Sequence, residues 1–296
     1  MSFPRALIIV SLITLVQAGC SSCHTNPSSS LRGPASASSH NWLFIGDSHS
    51  ASSFGDGLRE GVLKSGLVSD GRFFQFSVSG SSAAHWLSGS VMDLSIDYAY
   101  KIPGTEKVVH TGHPKAPVKD FRSLNDEIQP STVIFAIGTN DTNIYSDILK
   151  RTEGAHYREP ASISPDPLPN DLKHDLMGRP LWALRSLLNA NKTARCALIL
   201  PARVTSPHIP EADQKAFAKR MIQEGERRGC LIVNSQLIRE PSNLNQKPMH
   251  WKDCINGDNS QHTIFPDRGD GIHFSHSKGE YWGHCVASFL TENWGD

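Results

Sequence analysis

Five short apolar runs, at 43–46, 72–78, 132–137, 196–201 and 230–234, limit what this chain can fold into more than any other feature of it. Each is a few residues long, and the clearest reads Thr132-Val133-Ile134-Phe135-Ala136-Ile137 without a polar interruption after its first residue. A strand with one face in water alternates apolar and polar residues, so an unbroken apolar run predicts a strand covered on both faces. Between the runs lie stretches with helical spacing, at 54–67, 120–128, 181–188, 211–228 and 278–290. Strands that alternate with helices pair in parallel, and right-handed crossovers place the helices on both sides of the sheet. The expected fold is therefore α/β: a three-layer α/β/α sandwich, doubly wound around a mainly parallel five-stranded sheet of flavodoxin-like type.

Three long segments without helical or strand pattern, 86–118, 142–178 and 235–269, each follow a strand. They are expected to gather at the carboxyl edge of the sheet, where ligands bind in open α/β folds. No internal repeat and no second hydrophobic core is visible, so one domain over 41–296 is expected. The rest of the chain reads differently. Arg5 followed by the apolar stretch 6–16 has the form of an export signal over 1–19, too short to span a bilayer comfortably. Ala18-Gly19-Cys20 has the form of the end of a bacterial lipobox, which makes Cys20 the candidate lipidated residue and the route to membrane attachment. Gln17 stands where that pattern has an aliphatic residue. Residues 20–40 are rich in Ser and are expected to form a disordered tether. The expected location is the bacterial periplasm or outer membrane as a lipoprotein, or the medium after secretion.

Export bears on the cysteines. Cys20-Ser21-Ser22-Cys23 has CxxC spacing, but no strand precedes it, which argues against a redox site. Cys196 and Cys230 each precede an apolar run, so they would lie at the amino ends of successive strands. Parallel neighbours about 4.8 Å apart suit a bridge. The expected disulfides are Cys196–Cys230 and Cys254–Cys285, with buried free thiols as the alternative.

The first apolar run ends Gly46-Asp47-Ser48 and leads into a helical stretch. A serine at such a turn can serve as a nucleophile whose own N–H is also an oxyanion donor. Asp47 or Ser48 can equally be a plain helix cap. The second run ends at Gly80, which can bring a bare N–H to a ligand or simply make a turn. The third ends Gly138-Thr139-Asn140-Asp141, where the Asn140 amide is either an oxyanion donor or a turn residue. Before the last helix stands Asp270-Gly271-Ile272-His273. A carboxylate three residues before an imidazole can hold one ring nitrogen and leave the other as a base.

Each segment alone is ordinary. Together, in this order and each beside a strand or helix end, they resemble the SGNH/GDSL hydrolase superfamily of esterases. Gly46-Asp47-Ser48 matches its first block, Gly80 its second, Gly138-Thr139-Asn140-Asp141 its third and Asp270-Gly271-Ile272-His273 its last. The resemblance implies catalysis by Ser48, His273 and Asp270, with an oxyanion hole from the N–H groups of Ser48 and Gly80 and the amide of Asn140. It implies hydrolysis of carboxylic esters without metal or cofactor. His49 stands where leucine is common, and Gly-Asp-Ser-His is seen in members that act on acylated polysaccharides. Phe274 replaces a frequent proline, a change expected to alter the pocket wall.

Other classes fare less well. The formal net charge is +0, which gives no basic surface for nucleic acid. His110, His113 and His156 lack the HExxH or zinc-finger spacing of a metal site. Ser50 removes the second glycine of a GxSxG elbow. Trp86 and Trp251 fall on the long segments and are candidates to stack on sugar rings, with core packing as the alternative. The expected function is an exported serine esterase that removes acetyl groups from a glycan. Lipid or thioester hydrolysis and O-acyl transfer use the same residues, and a non-catalytic glycan-binding envelope protein is the alternative of another class.

Overall fold

The computed structural model of this 296-residue chain describes residues 40–87, 98–101, 108–111, 118–152, 169–172, 177–255 and 263–295. The export signal, Cys20 and nearly all of the tether lie outside them. The described residues belong to one unit spanning 38–296.

Strands β1 (Trp42–Gly46), β2 (Phe73–Ser77), β5 (Thr132–Ala136), β6 (Arg195–Ile199) and β7 (Leu231–Val233) form one sheet in the order β2-β1-β5-β6-β7. Every pairing is parallel, so the sheet is parallel throughout. The alternation of side chains along each strand sorts the core into two layers. Leu43, Ile45, Val133, Phe135 and Leu198 face one side. They meet α2 (Ala83–Leu87), α3 (Phe121–Ile128), α5 (Gly178–Asn189) and α6 (Glu211–Arg228) there. Trp42, Phe44, Ile134, Ala197 and Ile199 face the other, against α1 (Ser53–Lys64) and α8 (His276–Trp294). Both faces of β1 and β5 are buried, which is the burial that their unbroken apolar sequences predict. The expected three-layer α/β/α sandwich is therefore present.

Chain order reverses direction across the sheet between β1 and β5: β2 lies outside β1, and the chain then returns to pair β5 on the opposite flank. That is the topological switch point, and a crevice opens there at the carboxyl ends of the strands. Helices α1 and α8 cross at close range below it. Gly57 on α1 packs against Glu280 and Gly283 on α8 against Phe54, Leu58 and Gly57, and at Gly57 and Gly283 a Cβ would lie 2.3 Å from backbone oxygen of the facing helix. Phe54 and Trp282 stack across the same seam with ring centroids 4.0 Å apart.

Both expected disulfides form. Cys196–Cys230 joins the amino ends of β6 and β7 with Cα atoms 4.7 Å apart, and Cys254–Cys285 ties α7 (Trp251–Ile255) to α8 at 5.8 Å. The described parts of the long segments hold regular structure that their sequences do not suggest. The first begins at the end of α2 and contains the antiparallel pair β3 (Tyr98–Lys101) and β4 (Val108–Thr111). The start of the second lies in α4 (Thr139–Thr152), whose polar first turn is held by the bond from the Ala83 N–H to Asp141. The third contains α7. Among the described residues no helix is long and apolar enough to cross a membrane.

Candidate active site

The chain turns sharply after β1. A Cβ on Gly46 would lie 2.1 Å from the Cβ of Ser50, so only glycine lets the strand fold back here. The His49 N–H donates to Asp47 Oδ1 at 3.0 Å, the Ala51 N–H to the Asp47 carbonyl and the Ser52 N–H to the His49 carbonyl. These bonds make a turn of their own before α1, whose N-cap is Ser52. Neither Asp47 nor Ser48 caps that helix. Ser48, half-buried, is left free to point its hydroxyl elsewhere.

It points at His273. Ser48 Oγ lies 2.9 Å from His273 Nε2, across 225 residues of sequence. His273 Nδ1 lies 2.6 Å from Asp270 Oδ2. Asp270 Oδ1 accepts the N–H groups of Ile272 and His273, each at 2.9 Å, so the carboxylate is fixed by its own loop before it meets the ring. Partial burial pushes the Asp270 carboxyl up, but the His273 ring, these two N–H groups and the charge of His273 outweigh it and hold it well below the usual carboxylate range. The loop is held in turn by Gly271. Its φ of +66° suits glycine, its carbonyl accepts the Thr205 N–H at 2.8 Å, and a Cβ would press on Thr205 and Ser206.

The loops after β2 and β5 are tied to the same corner through Ser81. The Val78 N–H and Ser81 Oγ both donate to the Gly46 carbonyl, at 3.0 and 3.3 Å. Asn140 Nδ2 donates one hydrogen to the Ser81 carbonyl at 2.8 Å, and an amide nitrogen carries a second. Gly80, beside Ser81, has φ +82°, a conformation that strains any other residue. Asp141, next to Asn140 and buried, accepts the Ala83 N–H at the start of α2. Burial raises the Asp141 carboxyl to about 7, against that N–H, and the nearby Asp47 raises it further. Ser81 is an organising residue that sequence reasoning does not single out, and Asp47, His49 and Asp141, which stand in or beside the matched blocks, have structural roles there that the blocks do not reveal. Their partners lie as far as 59 residues away, and a single sequence carries no mark of such pairings.

His49 is 3 % exposed and packs between the site and the core. Its ring centroid lies 5.4 Å from that of His273, 5.8 Å from Phe274 and 5.4 Å from Trp282. Desolvation, helped by the neighbouring His273, lowers its pKa to about 3, so it is neutral in ordinary buffers. Phe274 is buried against His49 and Trp282 and belongs to the core rather than to a pocket wall.

The two tryptophans proposed to stack on sugars do not offer a ring to the site. Trp86 is 0 % exposed in the core, with Nε1 donating to Ser81 Oγ at 3.2 Å. Trp251 packs on Phe289 with centroids 4.9 Å apart, and its N–H donates to Glu292. At 1.5 Å per residue that contact lies roughly 20 Å along α8 from the end that bears His273. Both satisfy apolar packing, the alternative weighed for them. Among the described residues no group of three or more His, Cys, Asp or Glu could hold a metal ion.

A parallel three-layer α/β sandwich with a hydrogen-bonded serine, histidine and aspartate beside its switch point defines the class of protein that this chain represents. No protein-family model matches the chain, and no curated protein matches it. Several solved structures are similar in outline. A lipase/acylhydrolase from Enterococcus faecalis is 14% identical, with 86% of this chain and 96% of that one covered and a TM-score of 0.44. An acetylxylan esterase from Geobacillus stearothermophilus is 17% identical, with 87% and 94% covered and a TM-score of 0.45.

Proposed function

We propose that the protein is a serine esterase that hydrolyses carboxylic esters, with acetyl esters of a glycan as its substrate class. The observation that carries this reading is the continuous chain Ser48 Oγ–His273 Nε2–His273 Nδ1–Asp270 Oδ2, at 2.9 and 2.6 Å. Hydrogen-bond reach between nucleophile and base, with the base oriented by a third group, is the requirement for activating a weak nucleophile.

In this scheme Ser48 Oγ attacks the ester carbonyl while His273 Nε2 takes its proton. The carbonyl oxygen gains the negative charge and is held by the N–H groups of Ser48 and Gly80 and the second N–H of Asn140. Asp270 keeps the Nδ1–H of the imidazolium in place. Collapse breaks the bond to the alcohol, and His273 returns the proton to the departing alkoxide. Water then attacks the acyl-enzyme with His273 again as base, releasing the acid and restoring Ser48. The acetyl-glycan assignment follows from His49 after the nucleophile, the variant seen among members acting on acylated polysaccharides. Two disulfides support an oxidising, exported location, with Cys20 as the lipid-bearing residue.

The test is a panel of p-nitrophenyl esters of increasing chain length beside acetylated glycans, O-acetylated peptidoglycan among them. Release of acetate from a glycan, with kcat/KM falling as the acyl chain lengthens, is expected. Preference for long acyl chains, or transfer of the acyl group to an added alcohol in place of hydrolysis, overturns the assignment. For the location, Cys20→Ala should move the protein from the membrane fraction to the soluble one. Equal partition of wild type and variant refutes lipidation.

A further inference from the structure

Asp270 and His273 are carried by the segment between β7 and α8, not by a strand or a helix. A base on a loop is only as well placed as the shell that fixes the loop. Asp270 Oδ1 gathers the N–H groups of Ile272 and His273, and the Arg268 N–H donates to the His273 carbonyl. These bonds shape the loop but do not fix it against the sheet. Among the described residues, hydrogen bonds reach 265–275 from outside α8 at two places. Ser48 meets His273, and Thr205 donates its N–H and its hydroxyl to the Gly271 carbonyl, at 2.8 and 3.4 Å. Gly271 stands between the carboxylate and the imidazole in sequence, so Thr205 grips the loop at its centre.

Thr205 is itself exposed, on the loop after β6. The residue before it is what is held. Gln214, on α6 and 7 % exposed, accepts the Val204 N–H through Oε1 at 2.9 Å. Its Nε2 donates to the Val204 carbonyl at 2.8 Å. The side-chain amide thus pairs with both polar groups of one residue, as a neighbouring strand would. The second hydrogen on Nε2 goes to the Ile209 carbonyl, also at 2.8 Å, so one amide closes both ends of 204–209. Val204 and Ile209 are buried, so these backbone groups need a protein partner. Helix α6 is a firm support for it. Phe217 stacks on Tyr145 of α4, and Met221 is wholly buried.

We propose that Gln214 is a positioning residue for the base. It holds Thr205 in place, and Thr205 holds the Asp270–His273 loop where Nε2 reaches Ser48. Its amide is spent on backbone groups, so it acts through the two loops and not on the reacting atoms. The proposal rests on Ser48 and His273 acting as in the reading above, but part of its test is independent of turnover.

The experiment compares Gln214→Met with Arg228→Met in the full chain. Methionine keeps the length of glutamine and makes none of its three bonds. Arg228 lies on the same helix and also makes three side-chain bonds to backbone carbonyls, those of Leu188, Asn191 and Ala194, at the amino end of β6. With p-nitrophenyl acetate, kcat of Gln214→Met is expected to fall roughly ten- to a hundredfold with KM little changed, while Arg228→Met keeps the wild-type kcat. Amide hydrogen exchange followed by NMR should show the Ile272 and His273 N–H groups exchanging faster in Gln214→Met and unchanged in Arg228→Met. In the wild type, the N–H groups of Val204, Thr205, Ile272 and His273 should share one level of protection, a measurement that needs no folded variant. Wild-type kcat or unchanged exchange at 272 and 273 in folded Gln214→Met overturns the proposal. So does an equal loss of kcat in Arg228→Met, or unrelated protection of Val204 and His273 in the wild type. The expected exchange pattern in a wild type that cleaves no ester would sustain the brace and refute the esterase reading instead.

Discussion

The distance between nucleophile and base is set by a helix crossing, and one methyl group should disturb it. Ser48 lies five residues before α1, and His273 lies three residues before α8. Gly283 of α8 sits against α1 so closely that an added Cβ would lie 2.3 Å from the Phe54 carbonyl oxygen and 2.5 Å from the Leu58 nitrogen. Ordinary contact begins at 3.4 Å, and the facing atoms are backbone that cannot rotate away. Gly283→Ala therefore forces the helices apart by about 1 Å, the difference between 3.4 and 2.3 Å. If the loops ride on their helices, the 2.9 Å contact between Ser48 Oγ and His273 Nε2 opens to beyond hydrogen-bond range. Misplacement of this size costs about a hundredfold in rate, and the overpacking itself costs roughly 1–3 kcal/mol of stability. Kinetics on p-nitrophenyl acetate with a melting curve in the same buffer measures both. Gly71→Ala is the control, since a Cβ there meets nothing within 4 Å. A folded Gly283→Ala variant with wild-type kcat would refute the argument that this seam sets the site.

Three other predictions follow from named contacts. Asn140→Ala removes an amide that the Ser81 carbonyl already orients, and kcat should fall about 10²–10³-fold with KM little changed, as the loss of one oxyanion donor implies; an unchanged kcat removes Asn140 from the scheme. Burial raises Asp141 to about 7, above its unfolded value, so it favours the folded state in acid, and that contribution disappears as pH rises through 7. Asp141→Asn, which can still accept the Ala83 N–H, should flatten the fall in melting temperature between about pH 4 and pH 7, and parallel curves would contradict this. The bridge Cys196–Cys230 closes a sequence separation of 34, so replacing both cysteines by alanine should cost about 3–4 kcal/mol in a denaturant titration, and a change under about 1 kcal/mol would show that the bridge constrains little.

The sheet was legible because its strands are buried on both faces. Trp42 to Gly46 and Thr132 to Ala136 have no polar side to confuse the reading, and their order with the intervening helices leaves few topologies. The segment after β5 was harder. Its polar start looks like a loop, and α4 begins inside it because tertiary contacts such as that of Asp141 with Ala83 hold the polar turn. Ser48, Asp270 and His273 could be read because each stands in a short block at an element boundary, and Asp270 meets His273 over only three residues. Trp251 misled because its segment follows β7, whose carboxyl end lies on the same edge of the sheet as the site, yet the chain then runs to the far end of α8. Ser81 and Asp47 were not legible as organisers. The role of Ser81 arises from bonds to Gly46 and Asn140 that exist only once three loops have met, and that of Asp47 from a short turn to the His49 N–H that its sequence does not mark.

The most direct measurement is mass mapping of the protein after treatment with a fluorophosphonate, which forms a stable adduct only with an activated serine. One adduct on the peptide that carries Ser48, lost in Ser48→Ala and strongly slowed in His273→Ala, is the expected result. No adduct on the folded wild type, or an adduct on a different serine, would contradict the account.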